Sequence, residues 1–404
     1  MSGTRLNNSR GLRNSFKKYA CMVGLCIVSA NTIASPFDDF LATVGVHEWK
    51  AIPNSNMDAV APDPLPPGNA QPGGVMTKWS GGTYDFGRDR LLVWGGGHKG
   101  YAGNEIYAFD VNNMKWVRLT DPTPNSQLID TSSAYADGNP SARHTYDGLA
   151  YIPPPYDMLY GRGGSWWSTT GNNGNNDTWL FSFTADSWSQ GATYPSDQTL
   201  NELTDYDFVS GQVYSHGKRK LSAYNPANDS WTVVTTDDSG QKLGGNGVID
   251  PVRRLFVRIG RDSNNVPTGR YARVWDIHNT PPVRQDLNST GDNEIEDANA
   301  PGVVYDPVSD KIVAWDGFDT SGSVYVLDMD TRVWTKISPS GSVRPAVHTS
   351  KEYNGTFGRF QYVKSKNAFI AVSYTDENVY VYKLNDSAPM AKPAKPAKPT
   401  VVLK

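Results

Sequence analysis

Short apolar runs alternate along the chain with clusters of Gly, Asn, Asp, Ser and Pro, a pattern that predicts strands joined by turns rather than helices. The runs recur in a fixed cadence. Leu91-Leu-Val-Trp94-Gly-Gly-Gly97 is followed by Asn104–Asp110 and then by Met114–Leu119 around Trp116. The cadence returns as Met158–Gly164, Asp177–Phe183 and Asp186–Trp188, and again as Leu221–Tyr224 with Asn228–Trp231. A clean copy spans Tyr305–Gly317, Ser323–Asp328 and Arg332–Trp334. Each copy predicts an antiparallel meander. An apolar strand ends in glycines, an alternating strand closes on Asp, and a Trp-bearing outer strand follows a short turn.

This cadence resembles the kelch repeat, whose units are four-stranded blades of a β-propeller. The resemblance is strong over Tyr84–Leu119 and Tyr305–Ile337 and weak over Val248–Leu287, where the outer-strand Trp is missing and Val283 stands nearest its place. It implies an all-β propeller over residues 45–386. Trp49, Trp116, Trp188, Trp231, Val283 and Trp334 mark outer strands and count six blades. A seventh would have to hide within Thr120–Arg143, which is too polar and turn-rich. The last unit offers three strand-like runs, Arg359–Val363, Ala368–Val372 and Val379–Lys383, without an outer strand, whereas His47–Ile52 is an outer strand without a blade. The N-terminal strand is therefore expected to complete the last blade and close the ring, which removes its free edges.

Composition agrees with an all-β chain: Gly 38, Pro 27, Trp 12 and Tyr 21 favour turns and strands over helix. The ends read differently. Arg5, Arg10, Arg13, Lys17 and Lys18 precede an apolar run from Tyr19 to Ala30 and small residues near Ala34, the features of a secretory signal over residues 1–34. Cys21 and Cys26 are the chain's 2 cysteines, so an exported mature form has no thiol, disulfide or Cys metal ligand. The Lys/Ala/Pro repeat within residues 387–404 reads as an extended tail. Removing the five leader cations and four tail lysines leaves 29 of 38 positive charges against 41 Asp+Glu. That balance excludes a nucleic-acid footprint, and an anionic ligand needs a local basic pocket. No membrane span is expected, the protein should be secreted or periplasmic and monomeric, and nothing implies a cofactor or metal.

Propellers bind ligands at one mouth of the central channel, on loops that leave the inner strands. His98 follows three glycines there and could be a base; equally it could hydrogen-bond a neighbouring blade. Tyr101 stands on the same loop, and Lys99 beside His98. Arg143-His144 and Arg344 with His348 occupy matching places, where kelch repeats often begin an inner strand with Arg and His, a likeness that also favours a structural role. Trp166-Trp167, in a Gly/Asn/Ser/Thr-rich loop, suits stacking on a sugar ring, although one of the pair is expected to pack between blades. Arg162, Arg219, Arg261, Arg270 and Arg344 could join Lys99 and Arg143 as a carboxylate clamp, although most of them are expected to be solvated or structural. Tyr206, Tyr214 and His216 could add a proton donor or form a plain strand.

Motifs of zinc proteases, P-loops and nucleophile elbows are absent, and Asp205/Asp207 and Glu294/Glu296/Asp297 lack the spacing of a calcium loop. Copper-radical oxidases with kelch-like blades need a Cys–Tyr crosslink, which an exported form cannot make. Three functions fit. A polysaccharide lyase acting on a uronic-acid glycan would use His98 or His144 as base, Tyr101, Tyr206 or Tyr214 as acid and Arg143 or Arg219 as clamp, with Trp166, Trp167, Lys99, Arg162, Arg219 and His348 binding substrate. A non-catalytic glycan- or protein-binding module is the alternative. A kelch-type sugar mutarotase ranks third, because an open Trp/Asn loop suits a polymer better than a free sugar.

Overall fold

The computed structural model describes residues 34–168, 176–195, 201–236, 244–261, 272–278, 284–349 and 355–389. The expected signal segment, but for Ala34, and the tail beyond residue 389 lie outside these. The fold is an all-β propeller of six antiparallel blades. Their innermost strands are Gly82–Asp85, Leu149–Ile152, Leu203–Asp207, Gly244–Asp250, Gly302–Asp306 and Phe360–Val363. Each innermost strand packs on the next, and the sixth packs on the first. Blades one to four run inside to outside in simple sequence order, and the fifth gains a short parallel strand, Thr290–Gly291, outside Val333–Ile337.

The ring closes as expected. Trp49–Ala51 forms the outer strand of the sixth blade, pairing antiparallel with Tyr380–Tyr382 in the register Trp49↔Tyr382 and Ala51↔Tyr380. Trp49 is fully buried, its ring 5.0 Å from Tyr382 and 5.6 Å from Trp315 of the fifth blade, and its indole N–H donates to the Gly322 carbonyl at 2.8 Å. One side chain thus holds two blades. The fold begins before residue 45: Ser35 caps the helix Pro36–Leu41 in a reciprocal capping box with Asp38, and Phe37 is buried in the core of the first and sixth blades.

The weakly patterned fourth blade forms without an outer-strand Trp. Its aromatic anchor is Trp275 on the third strand, Arg273–Asp276, buried against Phe256 and His216. The outer strand is short, Arg284–Asp286, and Val283 lies outside the described residues. Asp at the end of an inner strand recurs because it fixes the turn that follows. Asp85, Asp207, Asp250 and Asp306 accept backbone N–H groups of their own turns. At the same turns Arg88 reaches Asp157 of the second blade at 2.5 Å, Arg254 of the fourth pairs with Asp207 of the third, and Arg253 reaches Asp310 of the fifth at 2.8 Å.

Trp49→Ala should cost about 3–5 kcal/mol of stability, the range for truncating a buried aromatic residue. Deleting Val46–Ile52 should leave an open sheet edge and aggregation. Denaturant midpoints and light scattering read both outcomes, and an unchanged midpoint for the deletion would contradict closure by this strand.

Candidate functional site

Three loop segments meet where the chain enters the first and second blades. The Gly97–Gly100 turn brings His98 against the Gly164–Ser168 segment: the His98 N–H donates to the Ser165 carbonyl at 2.9 Å and its carbonyl accepts from Ser168 at 3.0 Å. Gly97 has φ +84°, and a Cβ there would strike the Arg143 backbone and the Ser165 carbonyl, so this approach requires glycine. His144 is fixed alongside by its N–H to the Gly164 carbonyl at 3.0 Å. The two imidazoles stand edge to face, 5.9 Å apart. The Trp79 ring lies 4.7 Å from His144, and Tyr146 lies 5.9 Å away on another side.

Backbone geometry marks the same place. Trp79, Tyr146, Ala300 and Phe357 each sit just before an innermost strand, and each has φ between 45° and 48°. Bulky residues rarely adopt this left-handed conformation, which costs of order 1 kcal/mol or more per residue. Tyr146, Ala300 and Phe357 pack together with Trp79 against them. They come from the second, fifth, sixth and first blades, so they cap this end of the channel, with the histidines beside them.

Electrostatically the pair is held neutral. His144 is 1% exposed, and neither ring nitrogen has a hydrogen-bond partner among the described residues. Burial, then the charges of His98 and Lys78, push its pKa well below the ordinary value. His98 is half-buried, and its pKa is lowered by burial first and then by Lys99 and Lys78. Lys78, whose stem covers Gly100, is itself shifted down by partial burial. Two lysines thus stand beside the imidazoles, Lys78 and Lys99, of which Lys99 is exposed.

Other expected residues do not join the histidines. Tyr101 is buried, and its hydroxyl donates to Glu105, whose carboxyl also accepts from Tyr107 at 2.7 Å. Arg143 points into the scaffold. It is fully buried, 2.7 Å from Asp177, and its Nε and Nη2 donate to the Ser141 and Ser133 carbonyls. Arg162 is likewise buried, paired with Glu202 at 2.8 Å and stacked over Tyr194 at 3.9 Å. Trp167 packs on Ala102 and Tyr135, whereas Trp166 is half-exposed. Arg219 is exposed on the tight turn between Gly217 and Lys220. His348 lies at the junction of the fifth and sixth blades, between Phe318 and Tyr374, with Nε2 3.3 Å from the Thr356 hydroxyl. Arg261 and Arg344 bond backbone carbonyls, His216 packs on Trp275, and Arg270 lies outside the described residues.

Lys78 and Trp79 were not anticipated. The available signal is spacing: Trp79, Tyr146 and Phe357 each stand three residues before an innermost strand, at Gly82, Leu149 and Phe360.

No family model and no curated protein matches the sequence. Among solved structures, one entitled "Structure of YjhT" is similar, with a TM-score of 0.52 and 13% identity, covering 80% of this chain and 98% of that one. At this identity the likeness shows the shared propeller fold alone. Among the described residues no helix is long and apolar enough to cross a membrane.

Arg143→Ala should lose about 3–5 kcal/mol of stability, because it leaves Asp177 without its buried cation. His144 takes up a proton near 6.5 only when unfolded, so stability attributable to it is present above 6.5 and lost as pH falls below it, by up to about 1.4 kcal/mol per pH unit. The stability gap between the wild type and His144→Asn should shrink on acidification. A gap independent of pH between 7 and 5 would contradict a buried neutral imidazole.

Proposed function

We propose that this mouth binds a carboxylate-bearing glycan and that the protein is an exported lyase cleaving a uronic-acid polymer by β-elimination, with His98 as the base. We further read its blades as kelch repeats, on the Gly-rich inner-strand ends and outer-strand tryptophans. The observation that carries the function is the neutral His98–His144 pair beside Lys78 and Lys99 at the capped end of an otherwise acidic propeller. A uronate carboxylate seated against these lysines loses negative charge, which acidifies the C5 proton. His98 takes that proton. The C5–H electron pair becomes the C4=C5 double bond, the C4–O bond breaks, and the leaving oxygen takes a proton back from the His98 imidazolium. One residue therefore serves as base and acid, a role for which Tyr101 is not available. Trp79 and half-exposed Trp166 offer aromatic surface for the sugar rings. A second reading, a non-catalytic glycan-binding module, is favoured by the commitment of Arg143 and Tyr101 to the scaffold.

Incubation with pectate, alginate and hyaluronan should release unsaturated uronate, detected by its ultraviolet absorbance. His98→Ala should lower the rate by about 10²–10⁴-fold while leaving the melting temperature unchanged. Because its neighbours hold His98 neutral, the acidic limb of the pH–rate profile should fall below 6.5. Lys78→Met should weaken polymer binding at low salt and matter less at high salt. Binding without any unsaturated product would select the binding-module reading. Loss of neither on His98→Ala and Lys78→Met would displace the site.

A further inference from the structure

Beyond the capped mouth, the innermost strands of all six blades enclose a channel cavity of about 300 Å³. That is the low end of the about 300–1,000 Å³ typical of small-ligand pockets. Trp79, Tyr146, Ala300 and Phe357 shut one end. The other reaches solvent past Phe86 and Phe208, the latter 60% exposed and 5.0 Å from the Phe86 ring. The middle is apolar, walled by Leu149, Val248, Ile249, Val303 and Val304.

Polar residues interrupt this wall, among them Asp147, Thr204, Asp205, Asn246, Gln361 and Lys364, and two of them bear on a ligand. Asn246 is 1% exposed, lines the cavity, and its Nδ2 has no hydrogen-bond partner among the described residues. A buried amide donor left unmade costs about 1–3 kcal/mol, so an acceptor from outside the protein would be favoured there. Asp205 also lines the cavity and is partly open to it. Its two oxygens accept from the Tyr206 N–H at 2.8 Å and the Ile249 N–H at 2.7 Å, and each keeps a second lone pair. Asp147, higher in the channel, clasps the neighbouring blades through one oxygen, which accepts from Gly247 at 2.7 Å and Thr204 at 3.3 Å.

A ligand here must give a donor to Asp205 and an acceptor to Asn246 while filling apolar space. A hydroxyl does both. An ammonium can only donate and would leave Asn246 unpaired, and an anion would meet the Asp205 and Asp147 carboxyls, with Lys364 the one cation among the described lining residues to offset them. We propose that the channel is a second binding site, for a small neutral polyhydroxylated ligand of monosaccharide size, entering past Phe208 and hydrogen-bonding Asn246 and Asp205. It lies on the far side of the cap from His98 and does not rest on the lyase reading.

Saturation-transfer NMR and calorimetry with glucose, galactose, mannose and choline test this. At least one hexose should bind the wild type, and Asn246→Ala should weaken it by roughly tenfold, the loss of one hydrogen bond to a buried donor. Val303→Trp should block it; if that variant melts early, Ala150→Leu offers a milder filling. His98→Ala should leave hexose binding unchanged. The proposal is overturned if no hexose binds, if choline alone binds, if a folded channel-filling variant binds as the wild type does, or if His98→Ala abolishes binding.

Discussion

A propeller is a sheet arrangement with two ends that must meet, and here they meet at Trp49. Each blade buries its faces against two neighbours, so a blade lacking its outer strand would leave apolar surface on the blade before it as well as an open edge. Trp49 answers both needs, covering Tyr382 within its own blade and Trp315 and the Gly322 carbonyl of the fifth. Neighbouring bonds extend the seam: the Ser340 N–H donates to the His47 carbonyl at 2.7 Å, and Ile52 to Val379 at 2.8 Å. With the ring closed by backbone pairing from opposite ends of the chain, the axis is fixed, and with it everything the loops place near the axis.

Closure also explains why strain collects at one end. Six inner strands converging on an axis must approach more closely than side chains allow: a Cβ on Gly358 would collide with the Gly82 carbonyl, and one on Gly81 with that of Tyr146. Where glycine is not used, the chain turns through the left-handed region at Trp79, Tyr146, Ala300 and Phe357, and their side chains cluster at this end. The resulting cap separates a cationic, imidazole-bearing mouth from a channel that holds carboxyls. Arg143 and Arg162 belong to this construction. Both are buried against carboxylates beneath the loops, so they hold the Gly97–Gly100 turn's neighbours in place rather than meeting a ligand.

The repeat made most of the fold legible, because Trp-bearing outer strands and Asp-ended inner strands are local signals. Even the split blade could be read from the unmatched His47–Ile52 and Phe360–Lys383 segments. The fourth blade was harder because its aromatic anchor moved one strand inward to Trp275, leaving the outer strand to Arg284–Asp286 without a marker. At the site, the His98–His144 meeting followed from adjacent inner strands converging. The expected partners failed for a reason sequence does not show. An Arg beside a His in a loop can point either way, and Asp177, 34 residues further on, decides that Arg143 points inward. Tyr101 is captured in the same manner by Glu105. Lys78 and Trp79 carry no motif, and Asp205, set aside for lacking a calcium-loop spacing, gains significance only once the channel places it on the inner strand next to that of Asn246.

The charge of the molecule is divided along its axis, and this division bears on what each end can bind. At the turns away from the cap, Asp85, Asp157, Asp207, Asp250 and Asp310 are numerous, yet their charge is largely spent on Arg88, Arg90, Arg253 and Arg254, in pairs of which some lie within a blade and others tie one blade to the next. At the capped end, Lys78 and Lys99 stand beside two imidazoles, and Glu105, the carboxyl of the His98 loop, is turned inward to two tyrosines, burial raising its pKa. A carboxylate-bearing chain approaching the capped face therefore meets local positive potential despite the acidic whole. Neutral imidazole at that face follows from the same arrangement: burial first, and then the adjacent Lys99 and Lys78, oppose protonation of His98.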